Sequence, residues 1–276
     1  MQRVALILLL SGIFGIINGE NLIEPSPRRE QQYDFRIING TIVDWVGTRY
    51  QVSVRLKAND EFFGSGHICG GALISSNVVL TAAHCIWDYS RDTFHASSEF
   101  SVVLGNLDRY LSDNNSLIFN VANISTRSGF NITTFRNDVA IVFLNGEVPK
   151  NFKRATSIAL NTEFQLPAGT LCRVSGWGQT ETGFSAAQLM IVNVPIINAT
   201  ECVSSYGEYI VEDMLCAGYM EGYHDACSGD SGGPLVCDDK LVGLVSFGTG
   251  CALPGFPGIY TDIAAYMDWI RNQTGL

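Results

Sequence analysis

The sequence predicts an all-β fold, and two features of its apolar pattern carry this prediction. Short runs of β-branched and aromatic residues are separated by Gly, Asn, Asp and Pro, which is typical of strands joined by turns. Only the C-terminal segment has the spacing of an amphipathic helix. The runs span residues 51–56, 72–75, 78–81, 100–104, 139–144, 191–196 and 241–247. Many short strands with little helix indicate a sandwich or a barrel.

The C-terminal helix is predicted to dock on this β-structure. Its apolar residues recur at i, i+3, i+4 and i+7, as Ile263, Tyr266, Met267 and Ile270. Such spacing places them on one helix face. The stretch NGEVPKNFKRAT interrupts the apolar runs with charge, Gly and Pro, so we expect a boundary near residues 151–156. It divides the chain into two β domains of about 115 to 120 residues each.

Residues 1–19 have the pattern of a secretory signal peptide. A basic residue precedes an apolar run over residues 4–17, and small residues follow it. This run is shorter than the roughly twenty residues of a spanning helix, so a membrane anchor is the less favoured alternative. Residues 20–36 are polar, contain Pro and lack Cys. We expect them to form an unstructured leader of a secreted, extracellular protein.

The cysteine content agrees with secretion. Eight cysteines can all pair in an oxidising compartment, and the lack of a CxxC pair disfavours zinc. The sequence by itself leaves the pairing open. Asn-x-Ser/Thr sequons also suit an exported glycoprotein, at Asn39, Asn114, Asn123, Asn131, Asn198 and Asn272.

Charge restricts the class of partner. The formal net charge is −10, and no basic cluster is present that could neutralise phosphates. We therefore expect neither a nucleic-acid nor a membrane partner. A hydrophobic content of 46% suffices for an ordinary packed core.

The stretch CSGDSGGPLVC, residues 227–237, places Ser231 on a glycine-flanked turn. Serine is a poor nucleophile unless a base lies nearby. G-x-S-x-G also matches the nucleophile elbow of the α/β-hydrolases, but in that fold the histidine follows the serine, and all four histidines here precede it. The remaining possibility is a catalytic set in which the histidine precedes the serine along the chain. It makes His84 in LTAAHC and Asp138 in RNDVAIVFL the candidate base and acid.

These segments together resemble the trypsin-like members of the chymotrypsin family of serine proteases. TAAHC, NDVAI and GDSGGPL occur in the family's order, with CGGALIS, SGWG and PGIYTDI beside them. The resemblance covers residues 37–276. It implies two six-stranded antiparallel β-barrels, at about residues 37–153 and 154–276, with a C-terminal helix. It also implies an endopeptidase.

The resemblance assigns a role to each candidate catalytic residue. Ser231 would be the nucleophile and His84 the general base and then the acid. Asp138 would orient the imidazole and stabilise its charged form without taking the proton. The backbone N–H groups of Gly229 and Ser231 would form the oxyanion hole.

The resemblance also predicts cleavage after basic residues. Asp225 would lie at the base of the primary pocket and select Arg or Lys, while Gly248 and Gly258 would form walls without side chains. Ala226 replaces the serine common beside this aspartate, which should favour Arg over Lys modestly. Phe247 stands where many relatives carry Trp, so the resemblance does not predict the preference of the neighbouring subsites.

FR|IING resembles the family's activation site. Cutting after Arg36 would free the amine of Ile37, which would insert beside Asp230 and order the oxyanion loop and the pocket. Self-activation is one route, and processing at the upstream basic pair Arg28 and Arg29 is another. The sequence does not choose between them.

The resemblance selects one disulfide pattern: Cys69 with Cys85, Cys172 with Cys237, Cys202 with Cys216, and Cys227 with Cys251. Asn106 and Ser116 stand where calcium-binding trypsins have carboxylates, so we expect no metal and no cofactor. His67, His95 and His224 are interpreted as exposed loop residues. The expected partners are substrates with Arg or Lys before the scissile bond and protein protease inhibitors, and the expected state is a monomer.

Two alternatives to an active protease remain. A catalytically inactive homologue acting as a binding or cofactor protein would typically have lost Ser231 or His84. A structural glycoprotein would need neither Asp225 nor the Arg36 junction. The retained residues favour the enzyme.

Arg36→Gln tests the activation switch. If cleavage after residue 36 creates the ordering ammonium, this precursor should stay almost inactive after treatment with a trypsin-like protease that activates the unaltered precursor. Activity is measured on a peptide substrate with Arg before the scissile bond. Full activity of the variant would contradict the switch.

Overall fold

The computed structural model describes residues 40–45 and 47–276. The predicted signal peptide, the leader and the Arg36 and Ile37 junction lie outside these residues. The described strands are β1 (Thr41–Ile42), β2 (Gln51–Leu56), β3 (His67–Ser75), β4 (Val78–Thr81), β5 (Trp87–Asp88), β6 (Thr93–Phe94), β7 (Phe100–Leu104), β8 (Leu117–Thr126), β9 (Ala140–Leu144), β10 (Ala159–Leu160), β11 (Leu171–Gly176), β12 (Met190–Ile197), β13 (Met214–Ala217), β14 (Pro234–Cys237), β15 (Lys240–Phe247) and β16 (Gly258–Asp262).

Two closed β-barrels follow one another along the chain. The first is the antiparallel ring β2-β3-β4-β9-β8-β7, in which β7 pairs back onto β2. The second is the antiparallel ring β12-β11-β14-β15-β16-β13, in which β13 pairs back onto β12. The short β1 extends the second barrel at β12, and β10 runs parallel to β15. The predicted pair of six-stranded antiparallel barrels is confirmed.

Helix is scarce in the described chain. The predicted C-terminal helix is present as a 3-10 turn over Ile263–Tyr266 that continues into α2 (Met267–Thr274). A short helix that the sequence analysis missed, α1 (Ala199–Tyr206), begins after Asn198, whose side chain accepts a hydrogen bond from the Glu201 nitrogen. In this part of the chain no helix is long and apolar enough to cross a membrane.

A third apolar cluster joins the barrels to each other. The first barrel contributes Leu80, the second contributes Leu244, and α2 contributes Ile270, and none of these three side chains is exposed. Separate clusters fill the interior of each barrel. We call this cluster between the barrels the seam. Because the seam is as well buried as the barrel interiors, it fixes the position of one barrel against the other.

Four disulfides connect strands, turns and loops of the two barrels. They join Cys69 to Cys85, Cys172 to Cys237, Cys202 to Cys216, and Cys227 to Cys251. These are the pairs that the family resemblance implies. The first holds the turn after β4 against β3, and the last connects two segments that line a cavity beside Ser231.

Leu80→Ala tests the seam between the barrels. Removing a fully buried leucine should lower the free energy of unfolding by about 2 to 5 kcal/mol, because the cavity cannot collapse between two closed barrels. Urea unfolding in a Ser231→Ala background, which prevents self-digestion, measures the change. Leu111→Ala is the control, since Leu111 is 65% exposed and its truncation should change the value by less than about 0.5 kcal/mol. Equal losses would show that the seam carries no special stability.

Candidate active site

The turn that carries Ser231 lies against the first barrel, although it immediately precedes β14 of the second. Ser231 accepts a hydrogen bond through its backbone oxygen from the Gly70 nitrogen, at 2.8 Å. Gly232 has φ +71°, and a Cβ there would overlap the Thr81 hydroxyl and lie 2.9 Å from the Ala82 nitrogen. Only glycine combines this conformation with so close an approach. The turn is therefore held beside Ala82, which lies two residues before His84 in the chain.

His84 is oriented by Asp138. His84 lies in the 3-10 turn after β4, and its Nδ1 is 2.8 Å from Oδ2 of Asp138. Its backbone N–H donates to Oδ1 of the same carboxylate, also at 2.8 Å. The carboxylate is 1% exposed and accepts a further bond from the Ser246 hydroxyl. An acceptor at Nδ1 selects the tautomer that leaves Nε2 unprotonated, which is the form a general base needs.

The structure brings the segments of all three predicted catalytic residues to the junction of the barrels. Ser231 comes from the turn before β14, His84 from the turn after β4, and Asp138 from the residues before β9. Within residues 40–45 and 47–276, no hydrogen bond joins the Ser231 hydroxyl to His84. Catalytic hydrogen bonds are often long without substrate and tighten when it binds.

Two backbone N–H groups in the turn that carries Ser231 donate no hydrogen bond within the described chain. Among the described residues, neither the N–H of Gly229 nor that of Ser231 donates a hydrogen bond. Gly229 has φ +97°, and a Cβ there would lie 3.1 Å from Cα of Gly178. A side chain at this position would therefore be strained by its conformation and crowded by its neighbour. Free N–H groups in such a turn can stabilise an oxyanion.

His67 was wrongly interpreted as an exposed loop residue. It lies half-buried in β3, with Nδ1 2.8 Å from the Ser53 hydroxyl and Nε2 3.1 Å from the Gly229 oxygen. Burial, assisted by the positive charge of Arg109, lowers the pKa of His67 to about 3. No local pattern around His67 indicated this environment, because its partners Ser53 and Gly229 are 14 and 162 residues away along the chain. His95 and His224 are also half-buried rather than exposed.

A cavity of about 190 Å³ beside Ser231 has a carboxylate in its wall. Asp225 is 4% exposed, and its Oδ2 accepts a hydrogen bond from the Ala252 nitrogen at 2.9 Å. Its Oδ1 has no hydrogen-bond partner in the described part of the chain. Burial raises the pKa of Asp225 to about 6. An unsatisfied buried carboxylate facing an open cavity is suited to bind a cation.

The cavity walls agree with a long, narrow ligand. Ala226, Phe247, Gly248 and Gly258 all line it. A Cβ on Gly258 would lie 2.9 Å from Oδ1 of Asp225, so any side chain there would cover the carboxylate. Glycine at this position therefore avoids a close side-chain contact with the carboxylate.

An aromatic wall continues from His84 toward the cavity, and the sequence analysis missed its first member. Phe135 packs edge-on to the His84 ring, with 5.5 Å between the ring centroids. It also contacts Phe247 at 5.1 Å, and Tyr206 lies beyond at 6.2 Å from Phe247. Phe135 has φ +54°, an uncommon backbone conformation for a bulky residue. Nothing in the loop sequence TTFRND indicated that this ring faces the site.

Asp230 is a second buried carboxylate without a cation among the described residues. It is fully buried and accepts hydrogen bonds from the nitrogens of Gly178, at 2.8 Å, and Cys227, at 2.9 Å. Burial raises its pKa to about 7. A Cβ on Gly176 or Gly178 would overlap this carboxylate.

One group of possible metal ligands was found in residues 40–45 and 47–276. Cys69, His84 and Cys85 place ligand atoms within 4.8 Å of one another. Both sulfurs are already joined in a disulfide, so they offer no thiolate to a metal. The grouping reflects the disulfide that holds the His84 turn.

Comparison with known proteins identifies the family. A family model described as Trypsin matches residues 37–270. The chain belongs to the trypsin family of serine proteases. It is 36% identical to trypsin eta of Drosophila melanogaster over 98% of this chain and 96% of that protein. Trypsin of Sus scrofa is 35% identical over 87% of this chain and 96% of its own length, and the vitellin-degrading protease of Bombyx mori is 35% identical over 88% of each.

Membership in this family makes the chain a trypsin-like serine endopeptidase. The match begins at residue 37, which is the residue that directly follows the expected activation cleavage after Arg36. It extends across both barrels and into α2. The fold and the family thus lead to the same class of enzyme.

Asp225→Asn tests the burial of the pocket carboxylate. Above about pH 4 an unfolded Asp225 is ionised, whereas the folded group keeps its proton up to about pH 6, so stability should fall as the pH rises through this window. The fall should be on the order of 1 to 3 kcal/mol, and the variant should lack it. Urea unfolding of Ser231→Ala precursors with and without the substitution, at pH 4 and pH 7, measures the difference. Identical pH dependence would show that Asp225 is not desolvated.

Proposed function

We propose that the chain is a secreted endopeptidase, made as a zymogen, that hydrolyses peptide bonds after Arg and Lys. The observation that carries this proposal is the Oδ1 atom of Asp225, which lies buried and without a hydrogen-bond partner in the described chain, beside an open cavity. Ser231 lines the same cavity. A basic side chain bound there would bring its own carbonyl group to the Ser231 hydroxyl.

The proposed reaction is acyl transfer in two halves. His84 Nε2 removes the proton of Ser231 as Oγ bonds to the carbonyl carbon, and the N–H groups of Gly229 and Ser231 stabilise the oxyanion. The intermediate expels the amine, which takes the proton from His84, and an ester on Ser231 remains. Water then loses a proton to His84 as its oxygen bonds to the ester carbon. The bond between this carbon and Oγ breaks, Oγ takes the proton back from His84, and the acyl part leaves as a carboxylic acid, which restores Ser231. Asp138 holds the imidazole throughout and stabilises its positive charge.

Arg should be preferred over Lys to a modest extent. A guanidinium can bind a carboxylate with two parallel N–H donors, whereas an ammonium is a point charge that depends on further acceptors. Ala226 lines the cavity and offers no hydroxyl to solvate an ammonium. Oδ1 of Asp225 is a carboxylate oxygen in the cavity wall that has no hydrogen-bond partner in the described chain, so it can accept from either head group.

Activation would occur by cleavage after Arg36. The new ammonium of Ile37 would pair with Asp230, whose buried carboxylate has no cation partner among the described residues. Pairing would favour the ionised form of Asp230, which burial now disfavours. Asp230 adjoins both Gly229 and Ser231, so its ionisation and the order of the oxyanion turn would be coupled.

The proposed extracellular location rests on three features. The sequence has a signal-peptide pattern over residues 1–19, all cysteines are paired in disulfides, and the sequon asparagines within the described chain are exposed. Glycosylation is proposed at some of these asparagines. The proposed partners are proteins and peptides with Arg or Lys before the scissile bond, and protein inhibitors that occupy the same cavity. The proposed state is a monomer.

The proposal predicts a specific substrate profile. Residues 20–276 are expressed, cleaved after Arg36 with a trypsin-like protease that is then removed, and assayed on matched peptides with Arg, Lys, Phe or Ala before the scissile bond. Arg and Lys substrates should be cleaved, Arg faster, and the Phe and Ala substrates should not. Asp225→Asn should lower kcat/KM for Arg about thirtyfold or more, because the cation would then lie buried without its counter-charge.

Ser231→Ala is the matched control and should be silent on all four substrates. Equal turnover of Arg and Lys would remove the role proposed for Ala226. A cleaved, folded protein that hydrolyses none of the substrates would instead favour the alternative of an inactive homologue that binds a partner.

A further inference from the structure

A fully buried arginine lies behind the turn that carries the proposed oxyanion donors. Arg55, in β2, has no exposed surface. Its Nε donates to the Ser53 hydroxyl at 3.1 Å, and its Nη2 donates to the Arg109 oxygen at 3.0 Å. The guanidinium stacks over the Phe63 ring at 4.1 Å, and its nearest carboxylate oxygen, on Asp60, is 3.6 Å away. Burying a charge with so loose a counter-ion is costly, so its contacts call for an explanation.

A chain of hydrogen bonds leads from Arg55 to the oxyanion turn. The Ser53 hydroxyl that accepts from Arg55 is also 2.8 Å from Nδ1 of His67. Nε2 of His67 is in turn 3.1 Å from the oxygen of Gly229. The chain therefore crosses from β2 through β3 of the first barrel to the turn before β14 of the second.

The groups at the two ends of this hydrogen-bond chain determine where the protons between them lie. Arg55 Nε can only donate and the Gly229 oxygen can only accept. With a neutral imidazole, His67 must carry its proton on Nε2 to reach Gly229, and Nδ1 must accept from the Ser53 hydroxyl. That hydroxyl can donate to Nδ1 while it accepts from Arg55. Nε of Arg55, the Ser53 hydroxyl, both ring nitrogens of His67 and the Gly229 oxygen are then all satisfied in a single arrangement.

Burial is the main cause that keeps the imidazole of His67 neutral, because it lowers the pKa of the ring. The positive charges of Arg109 and, to a smaller extent, Arg55 act in the same direction, while the hydrogen bond to Gly229 and the charge of Asp60 oppose them. The ring also packs edge-on to Trp177, with 5.5 Å between centroids. Loss of Arg55 would remove one cation and leave the Ser53 hydroxyl free to accept from a protonated Nδ1.

We propose that Arg55 is a positioning residue for the oxyanion turn: through Ser53 it holds His67 as the neutral Nε2–H tautomer, which fixes the Gly229 carbonyl. This role rests on the proposed function of the Gly229 N–H as an oxyanion donor. Gly229 has φ +97°, which glycine adopts without strain, and its conformational freedom leaves the direction of its peptide groups to be set by outside contacts. The His67 bond is such a contact, and Arg55 fixes the direction of the bond through Ser53.

Arg55→Met tests the proposal, because methionine has similar length and no charge. In ¹⁵N-labelled, cleaved Ser231→Ala protein, the His67 ring should be in the neutral Nε2–H form from pH 5 to pH 8. The substitution should raise the pKa of His67, because it removes one of the positive charges that lower it, and it should shift the Gly229 amide resonance. In the active protein it should lower kcat about tenfold with KM changed less than twofold, since it affects a donor used only in the transition state.

Two further variants separate positioning from general stability. Asp60→Asn removes the counter-ion of Arg55 but leaves the chain to Gly229, and it should keep kcat within twofold and His67 neutral. Ser53→Ala leaves Arg55 in place and breaks the chain, so it should lower kcat and shift Gly229 while His67 stays neutral. Ser53→Ala also provides the test if Arg55→Met does not fold.

Unchanged His67 and Gly229 spectra in Arg55→Met would overturn the proposal. So would altered spectra with an unchanged kcat, or an equal loss of kcat in Asp60→Asn. The spectra are recorded without catalysis. If the unaltered protease is inactive on every substrate, the proposed function fails, while the spectra still decide whether Arg55 holds Gly229.

Discussion

The contact of one turn with the opposite barrel is the constraint on which the site depends. The turn belongs to the second barrel by sequence, yet its backbone bonds to Gly70, and Gly232 leaves no space between it and the Thr81 hydroxyl. His84 follows this part of β4 directly, so docking of the turn also sets the position of Ser231 relative to the imidazole. The apolar seam beneath holds the two barrels together. Precise placement of catalytic groups on rigid elements is what acyl transfer requires.

The same region holds several charges that would be unfavourable in an ordinary core. Asp225 and Asp230 are buried carboxylates whose pKa values are raised by desolvation, and Arg55 is a buried cation whose counter-ion, Asp60, lies 3.6 Å away. Each is explained by a partner that lies outside its immediate surroundings. A basic substrate side chain, a new N-terminal ammonium and the chain through His67 are those partners in our proposals. Stability that is given up locally is compensated by the surrounding barrels and disulfides.

How far the sequence predicted the structure depended on whether local pattern or distant contact decided the outcome. The short apolar runs became strands, because alternating or buried β-branched residues favour strands wherever they pack. Helix α1 was missed, since its eight residues carry too short an apolar pattern to distinguish it from a loop. The interpretation of His67 as an exposed loop residue was wrong for another reason. Its environment comes from Ser53 and Gly229, which are 14 and 162 residues away, so no local pattern shows its burial.

The sequence by itself determined the candidate residues Ser231, His84 and Asp138 and the family resemblance, because short motifs in a fixed order are specific. The strand pattern alone indicated a sandwich or a barrel, and the resemblance implied two barrels. Only the tertiary structure decided what surrounds the candidate residues. It brought Phe135 against the imidazole, left one oxygen of Asp225 without a partner, and connected Arg55 to the turn that carries Gly229. Such contacts arise when closed barrels pack against each other, and their energies depend on burial and distance. Neither quantity can be read from residue order alone.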